Sequence, residues 1–556
     1  MSARDDDTRV AADRRQTVFL AAALVAAISF RLYLLAAHDF PINDGALFLE
    51  FIRATAATFP GLPTEAAYNG LLLPFAYPPL SFWVGALLTK TGFDSLAVVR
   101  VLPILMNIGY VLLFTLLLLK SGRSRAFTAL AILLLVVNLR SFEWLLMGGG
   151  MTRGLGSVFL LLALLAVTVP DAEKRLEPSR MRMVLAGAAV GGAILSHLEW
   201  GILAAASVVL SRALASRSIK EFVISSAVAG LTALALVVPW VLFVHQAHGW
   251  DPFFAASGTS GWKSGFVKGR ILGIASMAVA SNPLVMVGGV VMLLRRQWFW
   301  IGFILACVIL TPRHAQTPAM LAVAVFGAQG VISAVEFAGR FIQSRKLLAA
   351  SSFGLVAALL AVNLYRTQLH APVSFRALPL EVRQSMAWVR AHHPGARFAI
   401  INDRHWPNDS TGEWFPTLAS AQSVTTVQGR EWNGQYSRWE DLSRDLRTSA
   451  DCEALKGNVR RFGVVDFFLV ETNDDCFAAP GGQRIYRNSA VSIYRAPDAQ
   501  RTIQSLADRP LGGRSSSRTL LPERSKAGSK GRNINPASVE RGRTLTAERP
   551  TLELSD

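Results

Sequence analysis

FVISSAVAGLTALALVVPWVLFV, residues 222–244, holds no charged side chain over a length that matches the hydrocarbon layer of a bilayer. A helix rises about 1.5 Å per residue, so roughly 20 apolar residues cross about 30 Å of lipid. Val18 to Leu35 and Val98 to Leu119 are runs of the same kind, and the pattern recurs up to Tyr365. Lipid is therefore the solvent for this part of the chain. The composition agrees: 556 residues, 52% apolar against 17% charged, with a mean hydropathy of +0.36. A soluble enzyme and a fibrous protein are both excluded.

A net charge of +18 would suggest a nucleic-acid partner in a soluble domain. Here the basic residues are clustered. Arg4, Arg9, Arg14 and Arg15 precede the first apolar run, and clusters recur at Lys120/Arg123/Arg125, Lys174/Arg175/Arg180/Arg182, Arg212/Arg217/Lys220, Arg295/Arg296 and Arg340/Arg345/Lys346. These are short connectors, where positive charge marks the cytoplasmic side. Topology thus explains the bias, and no nucleic acid is expected as a partner.

With those clusters inside, the sequence predicts a polytopic α-helical membrane protein of about eleven crossings: 16–37, 97–119, 125–139, 153–169, 183–197, 199–211, 221–244, 271–294, 297–312, 315–336 and 347–365. Residues 1–15 are the cytoplasmic N-terminus, 16–370 the transmembrane domain and 38–96 its first outer loop. The segment 76–91 opens with Tyr77-Pro78-Pro79 and reads as a helix lying in the interface. The pair 183–197 and 199–211 is short for two crossings, so it reads as a re-entrant hairpin with His197-Leu198-Glu199 at its tip. An odd number of crossings leaves the C-terminal part outside, in a bacterial cytoplasmic membrane.

Residues 371–497 have the composition of a soluble α/β domain. Helices are expected at 382–392 and Trp439 to Leu446, strands at Arg397 to Ile401, Ser423 to Gln428 and Val464 to Val470, and a closing hairpin at Ile485 to Asn488 and Val491 to Arg495. Residues 498–556 are rich in Arg, Ser, Gly and Pro and read as a disordered basic tail. Cys307 falls in a crossing, whereas Cys452 and Cys476 fall in the outer domain, where a disulfide persists if the two thiols meet.

No Walker loop, zinc-ligand spacing, dinucleotide fingerprint or GxSxG elbow stands in a convincing context. The chemistry must come from outer-loop polar residues. Asp44, in His38-Asp39-Phe40-Pro41-Ile42-Asn43-Asp44-Gly45, sits just above the lipid and ahead of an apolar stretch at 46–58 that suits an amphipathic helix. A carboxylate there either accepts a proton from a hydroxyl or caps the helix beginning at Gly45 or Ala46. Arg153 and Arg313 stand in Gly- or Pro-interrupted outer turns, where backbone amides join a guanidinium in binding phosphate. Arg100 and Arg140 either share that role or snorkel to lipid headgroups. His197 with Glu199 is a metal half-site, a sugar contact or a polar hairpin tip. Asn408 to Phe415 and Gly429-Arg430-Glu431-Trp432 read as loops that join aromatic and charged residues, suited to carbohydrate or acceptor recognition, while Trp406, Trp414 and Trp432 equally suit folding roles.

The order of these motifs resembles the GT-C superfamily, membrane glycosyltransferases that use polyprenyl-phosphate sugars and include protein O-mannosyltransferases and lipid A aminoarabinose transferases. Asp44 matches the acidic residue of the first outer loop, Tyr77-Pro78-Pro79-Leu80 the Pro-Pro-Leu segment, and Arg100-Val101-Leu102-Pro103 the start of the next crossing. Gly148-Gly149-Gly150-Met151-Thr152-Arg153-Gly154 is similar to the Gly/Arg segment, Ser196-His197-Leu198-Glu199 to a His-x-Glu hairpin, and Thr311-Pro312-Arg313-His314 to a late Arg loop facing the lipid phosphate. Two positions depart from the pattern: Asn43-Asp44 replaces an Asp-Glu pair, and Tyr77 stands where a basic residue often precedes Pro-Pro. A divalent metal is therefore left open.

The resemblance implies an inverting transfer of a hexose or pentose from a polyprenyl-phosphate donor to a lipid, glycan or protein acceptor of the cell envelope, on the outer face. Asp44 would be catalytic, with Arg153, Arg313, His197, Glu199, Tyr77 and Arg100 binding substrate. The alternatives are a transporter or flippase of a lipid-linked substrate, and a silent glycan-binding relative. A carrier would place its polar groups near the bilayer midplane; a transferase collects them at one face.

Overall fold

The computed structural model describes residues 3–167, 179–257, 271, 273, 282–311, 315–472, 474–478 and 483–497. The basic cluster at Lys174/Arg175, Arg313 and the tail 498–556 lie outside them.

The membrane part is built from α1 (Ala3–Ala37), then, beyond the outer loop, α4 (Ser95–Lys120), α5 (Arg125–Val136), the short α6 (Glu143–Leu146), α7 (Gly150–Val167), α8 (Arg180–Ser196), α9 (Leu198–Ala215), α10 (Ile219–His248), the short α11 (Asp251–Ser257), α12 (Leu284–Leu294), α13 (Trp298–Leu310), α14 (Gln316–Ala338) and α15 (Arg345–Ser374). Among the described residues, seven helices are long and apolar enough to cross a membrane: α1, α4, α7, α9, α10, α14 and α15. Within the other four expected ranges lie the shorter helices α5, α8, α12 and α13; of 271–294, residues 272 and 274–281 lie outside the described residues.

Local chemistry sets the helix starts. Asp94 Oδ2 accepts from Ala97 N at 2.9 Å to open α4, and Ser124 Oγ accepts from Phe127 N at 3.1 Å to open α5. Ser179 and Ser218 cap α8 and α10 in the same way. Between α9 and α10 the buried Arg212 donates to Glu221 Oε1 at 2.5 Å and to Ser216 and Ser225, fixing the connector. Small residues then let helices close. Gly187 of α8 lies against the Ala229 backbone of α10, and Gly288 of α12 and Gly330 of α14 lie against each other's helices.

The α8–α9 pair turns back at the expected tip, with helices longer than the expected segments. The chain breaks at the single residue His197, whose backbone is extended (φ −161°, ψ 120°), and α9 folds back so that Gly201 rests on Ile194. The helices have 17 and 18 residues, or roughly 26 Å each. α9 alone meets the length and hydropathy of a crossing. Both helices run past the ends expected from apolar residues because Arg180, Arg182 and Arg212 extend them with good helix formers.

The segment between α1 and α4, the expected outer loop, folds into α2 (Ala46–Thr58), the hairpin β1 (Glu65–Tyr68) and β2 (Leu71–Pro74), and α3 (Leu80–Lys90). Asn69 and Gly70 turn the hairpin with φ of 54° and 71°, the conformation that Asn-Gly favours in two-residue turns. Beyond α15 come α16 (Leu380–His392), β3 (Arg397–Ile401), α17 (Ser410–Ala419), β4 (Gln422–Ser423), α18 (Tyr436–Arg447), α19 (Cys452–Arg460), β5 (Phe467–Val470), β6 (Arg484–Arg487) and β7 (Ser492–Arg495). The sheet order is β4-β3-β5-β7-β6, with β3 parallel to β4 and β5 and the other pairs antiparallel. A disulfide joins Cys452 to Cys476.

Alternation along the strands sorts the side chains. Ala399, Ile401, Val470 and Tyr494 face α18 and α19. Phe398, Ile400, Phe467, Leu469 and Ile493 face α16 and α17, in a core that continues into Phe51, Phe75 and Phe82 of the outer loop. The sheet domain and the outer loop are therefore one packed body. The strand expected over Ser423 to Gln428 stops at Ser423 because the Thr425 hydroxyl accepts the Ile400 N–H at 3.0 Å in place of a ladder carbonyl.

Candidate active site

Asp44 does not cap α2. Gly45 occupies the N-cap position with φ 132°, and no side chain caps the helix there. Asp44 Oδ1 instead accepts from the Gly149 N–H at 2.8 Å, just ahead of α7. The Gly148-Gly149 pair is needed for this approach. A Cβ on Gly149 would lie 2.7 Å from Asp44 Oδ2 and 2.8 Å from Phe48, and one on Gly148 would collide with the Asp44 carbonyl. The carboxylate thus sits at the positive end of α7, among backbone amides that have no helical partner.

Arg153, in the first turn of α7, supplies the charge. Its guanidinium lies 5.3 Å from the Trp144 ring, donates to the Trp144 carbonyl at 3.4 Å and acts electrostatically on Asp44. Burial pushes the Asp44 carboxyl above the usual range, while Arg153 and the Gly149 N–H pull it back. Tyr77 reaches the same helix, its hydroxyl 3.3 Å from Thr152 Oγ1. Its ring stands 5.7 Å from Trp432 of the sheet domain and 6.3 Å from His197. His197 packs against α7 at Gly156, and Glu199 follows in the first turn of α9.

Four expected site residues therefore gather around the N-terminal turns of α7: Asp44, Tyr77, Arg153 and His197, with Glu199 beside the last. Arg100 is turned elsewhere and donates to the Leu35 carbonyl at 3.0 Å, where it ties down the end of α1. Arg140 pairs with Glu143 at 2.6 Å. Among the described residues no group of three or more His, Cys, Asp or Glu side chains is arranged to hold a metal ion.

One participant carries no motif. Glu413, in α17 and 7% exposed, accepts the Gly45 N–H on Oε1 at 2.9 Å. Burial and the Asp44 charge beside it push its carboxyl well above the usual range. The stretch Asn408 to Phe415, read as a loop, is largely the helix α17 capped by Asp409 Oδ1, which accepts from Gly412 N at 2.9 Å. That Asp followed by a mixed apolar run was the available signal. Trp414 is buried, 4.7 Å from Phe40 and donating to the Asn43 carbonyl at 2.9 Å, so its role is in folding.

No family model matches this chain, and no curated protein matches it. Solved structures do. The archaeal oligosaccharyltransferase AglB from Archaeoglobus fulgidus, in complex with an inhibitory peptide and a dolichol-phosphate, aligns with a TM-score of 0.51 at 13% identity, over 89% of this chain and 75% of its own. ArnT from Cupriavidus metallidurans aligns bound to undecaprenyl phosphate (TM-score 0.51, 14% identity, 86% of this chain and 97% of its own) and in the apo state (0.50, 15%, 87% and 98%). The chain has the fold of the GT-C membrane glycosyltransferases.

Proposed function

We propose that this protein is a membrane glycosyltransferase that moves a sugar from a polyprenyl-phosphate donor to a hydroxyl of a cell-envelope acceptor. The observation that carries the reading is the Asp44 carboxylate at the N-terminus of α7, with Arg153 one turn on. An acceptor hydroxyl above Asp44 gives up its proton to the carboxylate as its oxygen bonds to the anomeric carbon. The bond from that carbon to the phosphate oxygen breaks on the opposite side, so configuration inverts. The leaving phosphate gains negative charge, which Arg153 and the α7 amides stabilise, and Arg313 is the second cation in this reading. Tyr77, His197, Glu199 and Trp432 wall the sugar.

The lipid phosphates of the AglB and ArnT complexes support a lipid-linked donor. The described residues make no metal set, and no step here is routed through a metal. The reading places the N-terminus in the cytoplasm and the sheet domain outside a bacterial cytoplasmic membrane, where the acceptor is a lipid, glycan or protein.

Mass spectrometry of envelope glycans and lipids from cells with and without the gene tests this directly. A sugar increment is expected to vanish without the gene, to return with the wild type, and to stay absent with Asp44→Asn although that variant inserts normally. The expected loss of turnover is on the order of a thousandfold. An Asp44→Asn protein that restores the increment removes Asp44 from the mechanism, and unchanged glycans in gene-deleted cells overturn the activity.

A further inference from the structure

The Asn43-Asp44-Gly45 turn is held mostly from above. Gly45 N–H donates to Glu413 Oε1 at 2.9 Å, Trp414 Nε1 donates to the Asn43 carbonyl at 2.9 Å, and Asn43 Nδ2 donates to the Pro407 carbonyl at 3.0 Å. The Asn43 N–H donates to the Arg376 carbonyl at 3.0 Å. From the membrane side come the Gly148 N–H to the Ile42 carbonyl, the Gly149 N–H to Asp44 Oδ1 and a long contact of Asn43 Nδ2 with Met147 Sδ at 3.4 Å. Asn43 and Gly45 both have positive φ, 56° and 132°, so the turn needs this outside support. Glu413 is itself anchored, since the Tyr68 hydroxyl donates to its carbonyl at 2.7 Å.

We propose that Glu413 is the positioning residue through which the outer sheet domain aims Asp44. The proposal rests on the transferase reading above. Glu413 meets the peptide that follows Asp44, so two carboxyls flank one turn in a partly dry site. Two such groups do not both ionise easily. Burial raises both carboxyls, so the pair holds one proton between them and Asp44 is spared a second negative charge beside it. Arg153 faces Asp44 from α7; Glu431 and Tyr68 face Glu413 from the 430–433 turn and β1. As pH rises until the pair loses its shared proton, two negative charges flank the turn, and turnover falls.

The test uses the full-length protein in nanodiscs with a polyprenyl-phosphate sugar. Glu413→Gln keeps an acceptor for Gly45 N–H but cannot ionise, so kcat at neutral pH stays within about threefold and the alkaline fall of kcat disappears. Glu413→Ala lowers kcat by about 10- to 100-fold with KM for the donor little changed. An Ala variant as fast as wild type, or a Gln variant that keeps the wild-type alkaline limb, overturns the proposal; should the Ala variant not fold, the Gln profile decides. Infrared spectroscopy reads the pair without turnover. The wild type is expected to show a protonated-carboxyl band at neutral pH that Glu413→Gln removes, and the absence of that band overturns the shared proton. A wild type that carries the band but transfers no sugar strikes the transferase reading alone.

Discussion

Arg153 offers the sharpest residue-scale prediction on the phosphate side. Arg153→Gln removes the charge while keeping donors near Trp144, and kcat should fall by roughly 100-fold, or about 3 kcal/mol. Arg153→Lys should restore only part of it, because an ammonium is a point charge without the guanidinium fork; single-turnover kinetics with saturating donor check both. Asp409 gives a pH prediction. Burial pushes its carboxyl up to about 6, with Glu471 adding to the shift against Gly412 N–H, Arg404 and Asn402. The folded state then holds this proton more tightly than the unfolded chain, so the contribution is present at low pH and is lost as pH rises from about 4 to about 6. Asp409→Asn should flatten that decline in unfolding experiments across this window. As a candidate, Asp44 is marked in the sequence because the polar stretch His38 to Gly45 follows an apolar run directly. Glu413 is not, because its partner is 368 positions away and nothing in its own neighbourhood marks it.

At the scale of elements, the helix pair α12–α14 depends on two glycines facing each other's backbones. Gly330→Ala forces these helices apart or strains them, at a cost of about 1–3 kcal/mol. It should lower the Tm of the detergent-solubilised protein without altering the pH profile of transfer, since neither helix supplies a site residue. Apolar runs made the long helices readable, and a short unbroken apolar run, buried on both faces, made β3 readable to the residue. The β1–β2 hairpin was missed although Asn69-Gly70 announces it, because the turn lies inside a loop whose apolar residues suggested only interface helices. The early end of β4 was beyond reach: it depends on Thr425 meeting Ile400, a contact that exists only after the sheet has formed.

For the whole molecule, the disulfide between Cys452 and Cys476 spans 24 positions and ties α19 to the segment after β5. Closing a loop of that size removes unfolded-state freedom worth about 3 kcal/mol. The double variant Cys452→Ser/Cys476→Ser should therefore unfold its sheet domain at a lower temperature, read from tryptophan fluorescence, while the membrane helices keep their circular dichroism. Arg383 donates to Asp39 at 2.6 Å, and Asn69 exchanges two hydrogen bonds with Ser423, so a loosened domain also slackens its seat on the outer loop.

The chain is made from its N-terminus, and the Gly45–Glu413 bond joins its first outer loop to its last domain. At about 5–20 residues per second, the ribosome adds the intervening 368 residues in roughly 20–70 s. Throughout that interval the Asp44 turn has been synthesised but lacks its late-made counterpart. Any transfer that depends on this bond, as the proposed one does, therefore starts only after the sheet domain has been made.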